Sequence, residues 1–207
     1  MPRARLSALA LLGLDRSGPP PAQTETGAPL RPWTIPNAIG YLRAALIPVI
    51  LILEYGSRSG TDTAAAICFF LAGAGDYADG IVARLTGQYS RLGAILDPVL
   101  DRVLALAGLA VCWSYELLPR WLVALVLARE ALMLVVGQAW IRRGMTLRIN
   151  WPGRIAVGPT LFGIWLALLG ARGVAEGFLY AGITLALVAT GYYFRDGLRQ
   201  LRVSSSA

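Results

Sequence analysis

The residues with chemical potential are concentrated between Asp76 and Asp101. The stretch reads Asp76-Tyr-Ala-Asp79-Gly80-Ile-Val-Ala83-Arg84, then eight residues, then Gly93-Ala-Ile-Leu-Asp97-Pro-Val-Leu-Asp101. Four carboxylates thus sit inside an otherwise apolar sequence. An aspartate near the bilayer core costs about 2.5–3.5 kcal/mol, so four left uncompensated would cost on the order of 10 kcal/mol. A divalent cation shared between them is the natural compensation. Asp76 and Asp79 are three apart and Asp97 and Asp101 four apart, so each pair shares one face of a helix. A short turn near Thr86 to Ser90 would bring the two pairs together, and Gly80, Ala83 and Gly93 are small enough to admit a ligand or a second backbone. All-oxygen donor sets of this kind suit magnesium or manganese. The chain has no histidine, so a carboxylate must also supply any general base. The competing structural reading is a network of ion pairs with neighbours such as Arg84, Arg91 and Arg102.

The elements that position these residues are read from apolar runs. The chain has 207 residues, 56% of them hydrophobic, with a mean hydropathy of +0.58. That composition predicts a single-domain, all-α integral membrane protein. Six transmembrane helices are expected, at about 38–55, 63–85, 92–114, 119–141, 154–170 and 174–195. Pro36 and Asn37, behind an interfacial Trp33, mark the start of the first. Arg43 lies one to two turns inside that helix, where it either snorkels to the rim or contacts a phosphate. Pro98, between the last two aspartates, bends or starts a helix. Residues 1–32 read as a disordered tail, 33–197 as the membrane domain and 198–207 as a short C-terminal tail. The apolar run Leu6 to Leu14 is too short to span; it weakly resembles a signal peptide but lacks a convincing cleavage site.

The net charge is +7, and all 19 basic residues are arginine. No RNA- or DNA-reading motif is present, so this basicity fits a cytoplasmic membrane rim and not nucleic acid. Arginines cluster in the loops near 86–91 and 142–154 and towards the termini, while Arg58, Arg120 and Arg172 mark the opposite loops. The positive-inside bias therefore places both termini and the aspartate motif at the cytoplasmic face. Cys68 and Cys112 lie in apolar segments and read as packing residues.

The pattern DxxDGxxAR, eight residues, GxxxDxxxD resembles the signature of the CDP-alcohol phosphotransferase family at every fixed position. The resemblance implies that family's membrane fold over about residues 33–197. It implies transfer of a phosphatidyl group from CDP-diacylglycerol to an alcohol, with release of CMP. It assigns Asp76, Asp79, Asp97 and Asp101 as ligands of two magnesium ions, replaceable by manganese, with Asp101 also the catalytic base that takes the acceptor's proton. Pro36, Asn37, Gly80, Arg84 and Ser90 match positions that hold the CDP-lipid. For Ser90 the alternative, compatible role is a helix N-cap. The resemblance also implies a homodimer, to which Gly108 and Gly137 in the third and fourth spans add small, close-approach positions.

The flanks bear on the acceptor. Thr34-Ile35-Pro36-Asn37 with Arg43, Arg129-Glu130, and Leu147 to Val157 resemble the phosphatidylglycerophosphate synthase and CMP-forming cardiolipin synthase branch. Arg154 replaces the usual lysine of that branch, Val157 the usual threonine, and Gly75 a common serine or threonine. The leading expectation is sn-glycerol 3-phosphate as acceptor, its phosphate met by Arg43, Arg129 and Arg154 from a set that also holds Arg142, Arg143 and Arg148. Phosphatidylglycerol, giving cardiolipin, is the alternative. A non-catalytic lipid-binding relative and an ion transporter are the readings from other classes, although the pseudo-repeats of transporters are missing.

Overall fold

The computed structural model describes residues 22–24, 27–142 and 151–204. After a short 3-10 turn at Ala22–Thr24 come six helices: α1 Ile35–Gly56, α2 Thr63–Thr86, α3 Arg91–Ser114, α4 Arg120–Arg142, α5 Trp151–Leu168 and α6 Arg172–Ser204. All six spans expected from the apolar runs are helices. Among the described residues, α1, α2, Arg120–Trp140 of α4 and Arg172–Arg195 of α6 are long and apolar enough to cross a membrane. The described apolar part of α5, Ile155–Leu168, is shorter. At 24 residues α3 has the length, about 36 Å against a hydrocarbon core of about 30 Å, but it carries Arg91, Asp97, Asp101 and Arg102.

Two boundaries differ from the sequence reading. Helix α1 begins at Ile35 because Thr34, not Asn37, caps it: the Asn37 amide donates to Thr34 Oγ1 at 3.3 Å and the Ala38 amide to the Thr34 carbonyl at 3.0 Å. Pro36 then sits in the first turn, where its missing N–H costs nothing. Helix α6 runs on to Ser204, through much of the expected C-terminal tail. Leu198 and Leu201, interleaved with Arg195, Arg199 and Arg202, supply the helical spacing that carries it beyond the apolar run.

The chain divides into two compact units, residues 1–56 with 64–107 and residues 57–63 with 108–207. In the first, the buried positions of α1 are Asn37, Gly40, Arg43, Ile47, Ile50 and Glu54, a stripe at three- and four-residue spacing. Its outward positions are apolar: Leu42 is 62% and Ile52 71% exposed, while Arg43 is 2% exposed. A helix that turns charge inward and leucine outward is built for lipid surroundings. Helix α2 packs through Ala65, Ala66, Phe69, Ala72 and Asp79. It ends at Gly87, whose φ of +68° suits glycine, and Ser90 opens α3 by accepting the Gly93 amide at 2.9 Å.

In the second unit, α5 and α6 pack at close range. A Cβ on Gly163 would lie 3.0 Å from the Ala175 carbonyl oxygen, and one on Gly182 3.0 Å from the Thr160 amide nitrogen. Small residues at such a seam let helix backbones approach. Phe162 stacks edge-on against Phe178 at 4.8 Å, and Trp140 of α4 meets Phe194 of α6 at 5.7 Å. Gly108 is buried within this unit.

Candidate active site

The first unit contains all four aspartates. Asp76 and Asp79 lie on α2, and Asp97 and Asp101 on α3, each in the same-face register that their spacing predicts. Three of the carboxylates converge on one cation. Arg43 Nη1 donates to Asp76 Oδ1 at 3.0 Å and to Asp79 Oδ2 at 3.3 Å, and Nη2 donates to Asp101 Oδ1 at 2.5 Å. Its Nε donates to the Ala72 carbonyl at 2.8 Å, so the guanidinium is tied to α2 backbone as well. Arg43 does not snorkel. Its stem crosses α2 at Gly75, where a Cβ would lie 2.9 Å from both Cγ and Cδ. The serine or threonine common at that position would collide with the arginine.

Beside this centre lies a cavity of about 160 Å³. Its walls include Asp79 and Asp97 together with Pro36, Asn37, Gly80, Arg84 and Ser90, the whole set singled out from sequence for the CDP-lipid. The Arg84 guanidinium lies over Gly80, with Nη1 3.3 Å from where a Cβ would stand. Ser90 is buried and donates from Oγ to Asn37 Oδ1 at 2.9 Å. Asn37 Nδ2 in turn donates to the carbonyls of Arg31 and Pro32 at 3.0 and 3.1 Å. Gly93 completes the contact: a Cβ there would sit 2.8 Å from Asn37 Oδ1 and 3.1 Å from Ser90 Oγ. The N-cap role of Ser90 and its place in the cavity wall therefore coexist.

Several lining residues escaped the sequence reading. Gln88 joins the α2–α3 turn to α1, its Oε1 accepting the Ile35 amide at 3.0 Å, and Thr24 and Tyr89 line the same space. The backbone before α1 is held too, since the Leu92 amide donates to the Leu30 carbonyl at 3.3 Å. The boundary expected at residue 32 thus falls inside a hydrogen-bonded stretch. Only the run of small and turn-forming residues around 86–93 hinted at this wall.

The acceptor arginines fare differently. Arg43 is taken up by the aspartates. Arg129 belongs to the second unit, where Nη1 pairs with Glu130 Oε1 and Nε donates to Thr190 Oγ1 at 3.3 Å. The side chains of Arg142 and Arg154, and Arg143 and Arg148 altogether, lie outside the described residues, as do residues 1–21 of the expected N-terminal tail.

The donor set fits a hard divalent cation in kind: four carboxylates on two helices joined by a short turn, three of them already directed at one positive charge. In the arrangement described, no three acidic side chains among the described residues are grouped around a common ion position. Arg43 is the cation that Asp76, Asp79 and Asp101 meet there.

Comparison with known proteins places the chain in a family. Residues 33–190 match the family model for CDP-alcohol phosphatidyltransferase. The chain is 37% identical over 144 residues to the "Cardiolipin synthase (CMP-forming)" of Streptomyces coelicolor, covering 67% of this chain and 66% of that one. It is 26% identical over 192 residues to the "CDP-diacylglycerol--glycerol-3-phosphate 3-phosphatidyltransferase" of Bacillus subtilis, covering 84% of this chain and 100% of that one. A Cereibacter sphaeroides protein of the same name as the Bacillus enzyme is 37% identical over 102 residues, 47% of this chain and 46% of that one. With the family model covering most of its length, this multi-pass, all-helical chain belongs to the CDP-alcohol phosphatidyltransferase family.

Proposed function

We propose that the protein transfers the phosphatidyl group of CDP-diacylglycerol to sn-glycerol 3-phosphate, forming phosphatidylglycerophosphate and releasing CMP. The observation that carries the reading is the cavity that Asp79 and Asp97 share with Pro36, Asn37, Gly80, Arg84 and Ser90. Asp76, Asp79, Asp97 and Asp101 would hold two magnesium ions, or manganese in their place, which when bound neutralise charge on the donor's phosphates. Asn37, Gly80 and Ser90 hold the cytidine diphosphate part, and Arg84 gives charge-assisted hydrogen bonds to phosphate. Asp101 takes the hydroxyl proton as the acceptor oxygen bonds to the phosphatidyl phosphorus; the bond to the bridging oxygen breaks, and CMP leaves with that electron pair.

The full-length match to the Bacillus enzyme supports glycerol 3-phosphate as acceptor. The higher identity to the Streptomyces enzyme favours a second reading, phosphatidylglycerol as acceptor and cardiolipin as product, over the 66% of that relative's length that the chain spans. The arginine distribution supports a cytoplasmic site with both termini on that side. The family resemblance supports a homodimer, and residues 33–197 as the catalytic domain.

The test uses purified protein in detergent with CDP-diacylglycerol, magnesium and one acceptor at a time, with CMP and lipid products measured. Phosphatidylglycerophosphate with glycerol 3-phosphate is expected. Product with phosphatidylglycerol alone replaces the first reading by the second, and no CMP with either alcohol rejects both.

A further inference from the structure

We infer that Arg43 is the resident counter-ion of the aspartate centre, competing with divalent metal for the carboxylates of Asp76, Asp79 and Asp101. The inference rests on the proposed metal-binding role of those aspartates and adds a residue to it.

Three features of the geometry carry it. The first is burial. Arg43 is 2% exposed, and its two terminal nitrogens reach carboxylates from both α2 and α3. It thereby joins acidic groups that would otherwise repel each other across the inter-helix gap. The second is anchoring. Nε is fixed on the Ala72 carbonyl at 2.8 Å and the stem fills the space over Gly75. The guanidinium is thus held to α2 at its Nε while both terminal nitrogens face the carboxylates. The third is overlap: the oxygens it engages, Asp76 Oδ1, Asp79 Oδ2 and Asp101 Oδ1, belong to three of the four proposed ligands. A lone pair committed to an N–H is not available to a metal, and a divalent ion placed beside the guanidinium repels it. The charge balance also closes around this residue. Two divalent ions neutralise four aspartates, and Arg43 with Arg84 then balances the two formal negative charges of a bridging pyrophosphate.

Arg43 therefore holds the ligands near their working positions before metal arrives, and the centre loads fully when donor pyrophosphate offers the displaced guanidinium a new partner. In this role it is a positioning residue. Because it stabilises the metal-free form more than the loaded one, removing it lowers metal-free stability and tightens metal binding, by linkage.

The measurement is manganese binding by electron paramagnetic resonance titration in detergent, without nucleotide or lipid donor, alongside thermal unfolding with and without magnesium. For Arg43→Gln the melting temperature without metal falls, the magnesium-induced rise grows, and manganese binds more tightly, on the order of tenfold. Arg43→Lys, which keeps the charge but loses the fork, falls between wild type and Arg43→Gln. Gly75→Ala tests the point without touching the arginine, since its methyl group displaces the anchored stem; the same direction with smaller size is expected, and this variant decides should Arg43→Gln not fold. Asp97→Asn is the reference that loses manganese binding. If wild type binds manganese, Asp97→Asn does not, and Arg43→Gln and Gly75→Ala bind as wild type or more weakly, the counter-ion role is wrong and the metal reading stands. If wild type binds no manganese while releasing CMP, the metal reading fails and takes the inference with it.

Discussion

The two units of the molecule bury different things. Among the described residues, the first buries Asn37, Arg43, Glu54, Asp79 and Ser90, whereas the second buries Thr190 as its polar side chain and otherwise apolar residues, mostly leucine, valine, isoleucine and alanine with Cys112 and Trp140. In each unit an arginine sits on a carboxylate inside a helix, Arg43 in the first and Arg129 in the second. In the first, Arg43 serves three aspartates from two other helices. In the second, Arg129 pairs with Glu130, its own neighbour in sequence. The contrast separates two uses of buried charge. A pair of adjacent residues neutralises itself wherever it is placed, and asks little of the fold. A one-to-three arrangement leaves more carboxylates than cations, which suits the further cation proposed for this centre. The second unit reads as apolar packing, with glycine seams between α5 and α6; the first is the part in which buried polar groups gather, and it is the part to which the proposed chemistry belongs.

The comparison is broken most directly at Asp101. Asp101→Asn keeps the size and removes the base, so CMP release should fall by about 10²–10⁴-fold while CDP-lipid binding persists. A variant with near-normal turnover would return Asp101 to a structural role and erase the functional difference between the units. The next largest effect separates the two arginines. Arg43→Met leaves three carboxylates without their cation and should lower stability by about 3 kcal/mol, the partial exposure of Asp76 and Asp101 keeping the loss at the low end for a broken buried pair. Arg129→Met should cost about 1 kcal/mol, since its partner sits beside it and is about a third exposed. Equal losses in thermal unfolding would mean that the two centres are built alike.

Two smaller effects sharpen the boundary between packing and binding inside the first unit. Gly93→Ala drives a methyl group to within 2.8 Å of Asn37 Oδ1, and should raise the KM for CDP-diacylglycerol more than it lowers the melting temperature. Ser90→Ala removes the α3 cap and the hydrogen bond to Asn37, at about 1 kcal/mol. A KM that stays unchanged in both variants would detach this wall of the cavity from the donor.

How much of this was legible beforehand differs by element. The six helices could be read because apolar runs of membrane length are a local property, and the turn between α2 and α3 was placed near Thr86 to Ser90, with Ser90 as a cap for α3. The α1 start was displaced by three residues because Thr34 and Asn37 are both good caps and only the backbone decides which one serves. The pairing of Asp76 with Asp79 and of Asp97 with Asp101 on shared faces was equally legible, and the family resemblance picked out Pro36, Asn37, Gly80, Arg84 and Ser90 of the cavity wall but not Thr24, Gln88 or Tyr89. The role of Arg43 was not. One arginine among 19 carries no mark of its partner, and the aspartates nearest in sequence to other arginines invited pairing with Arg84, Arg91 or Arg102. The one trace was Gly75, a glycine where a hydroxyl residue is common, whose meaning appears once the arginine stem is seen to cross it.

By itself, then, the order of residues determined which segments are helical, which carboxylates share a face and which family the chain joins, because each of these depends on spacing along one helix or on a short run. Tertiary structure alone decided which cation answers those carboxylates. Arg43 reaches Asp76 across 33 positions and Asp101 across 58, and such a choice is set by which helix faces turn towards each other and by the room that a missing side chain at Gly75 leaves, neither of which periodicity encodes.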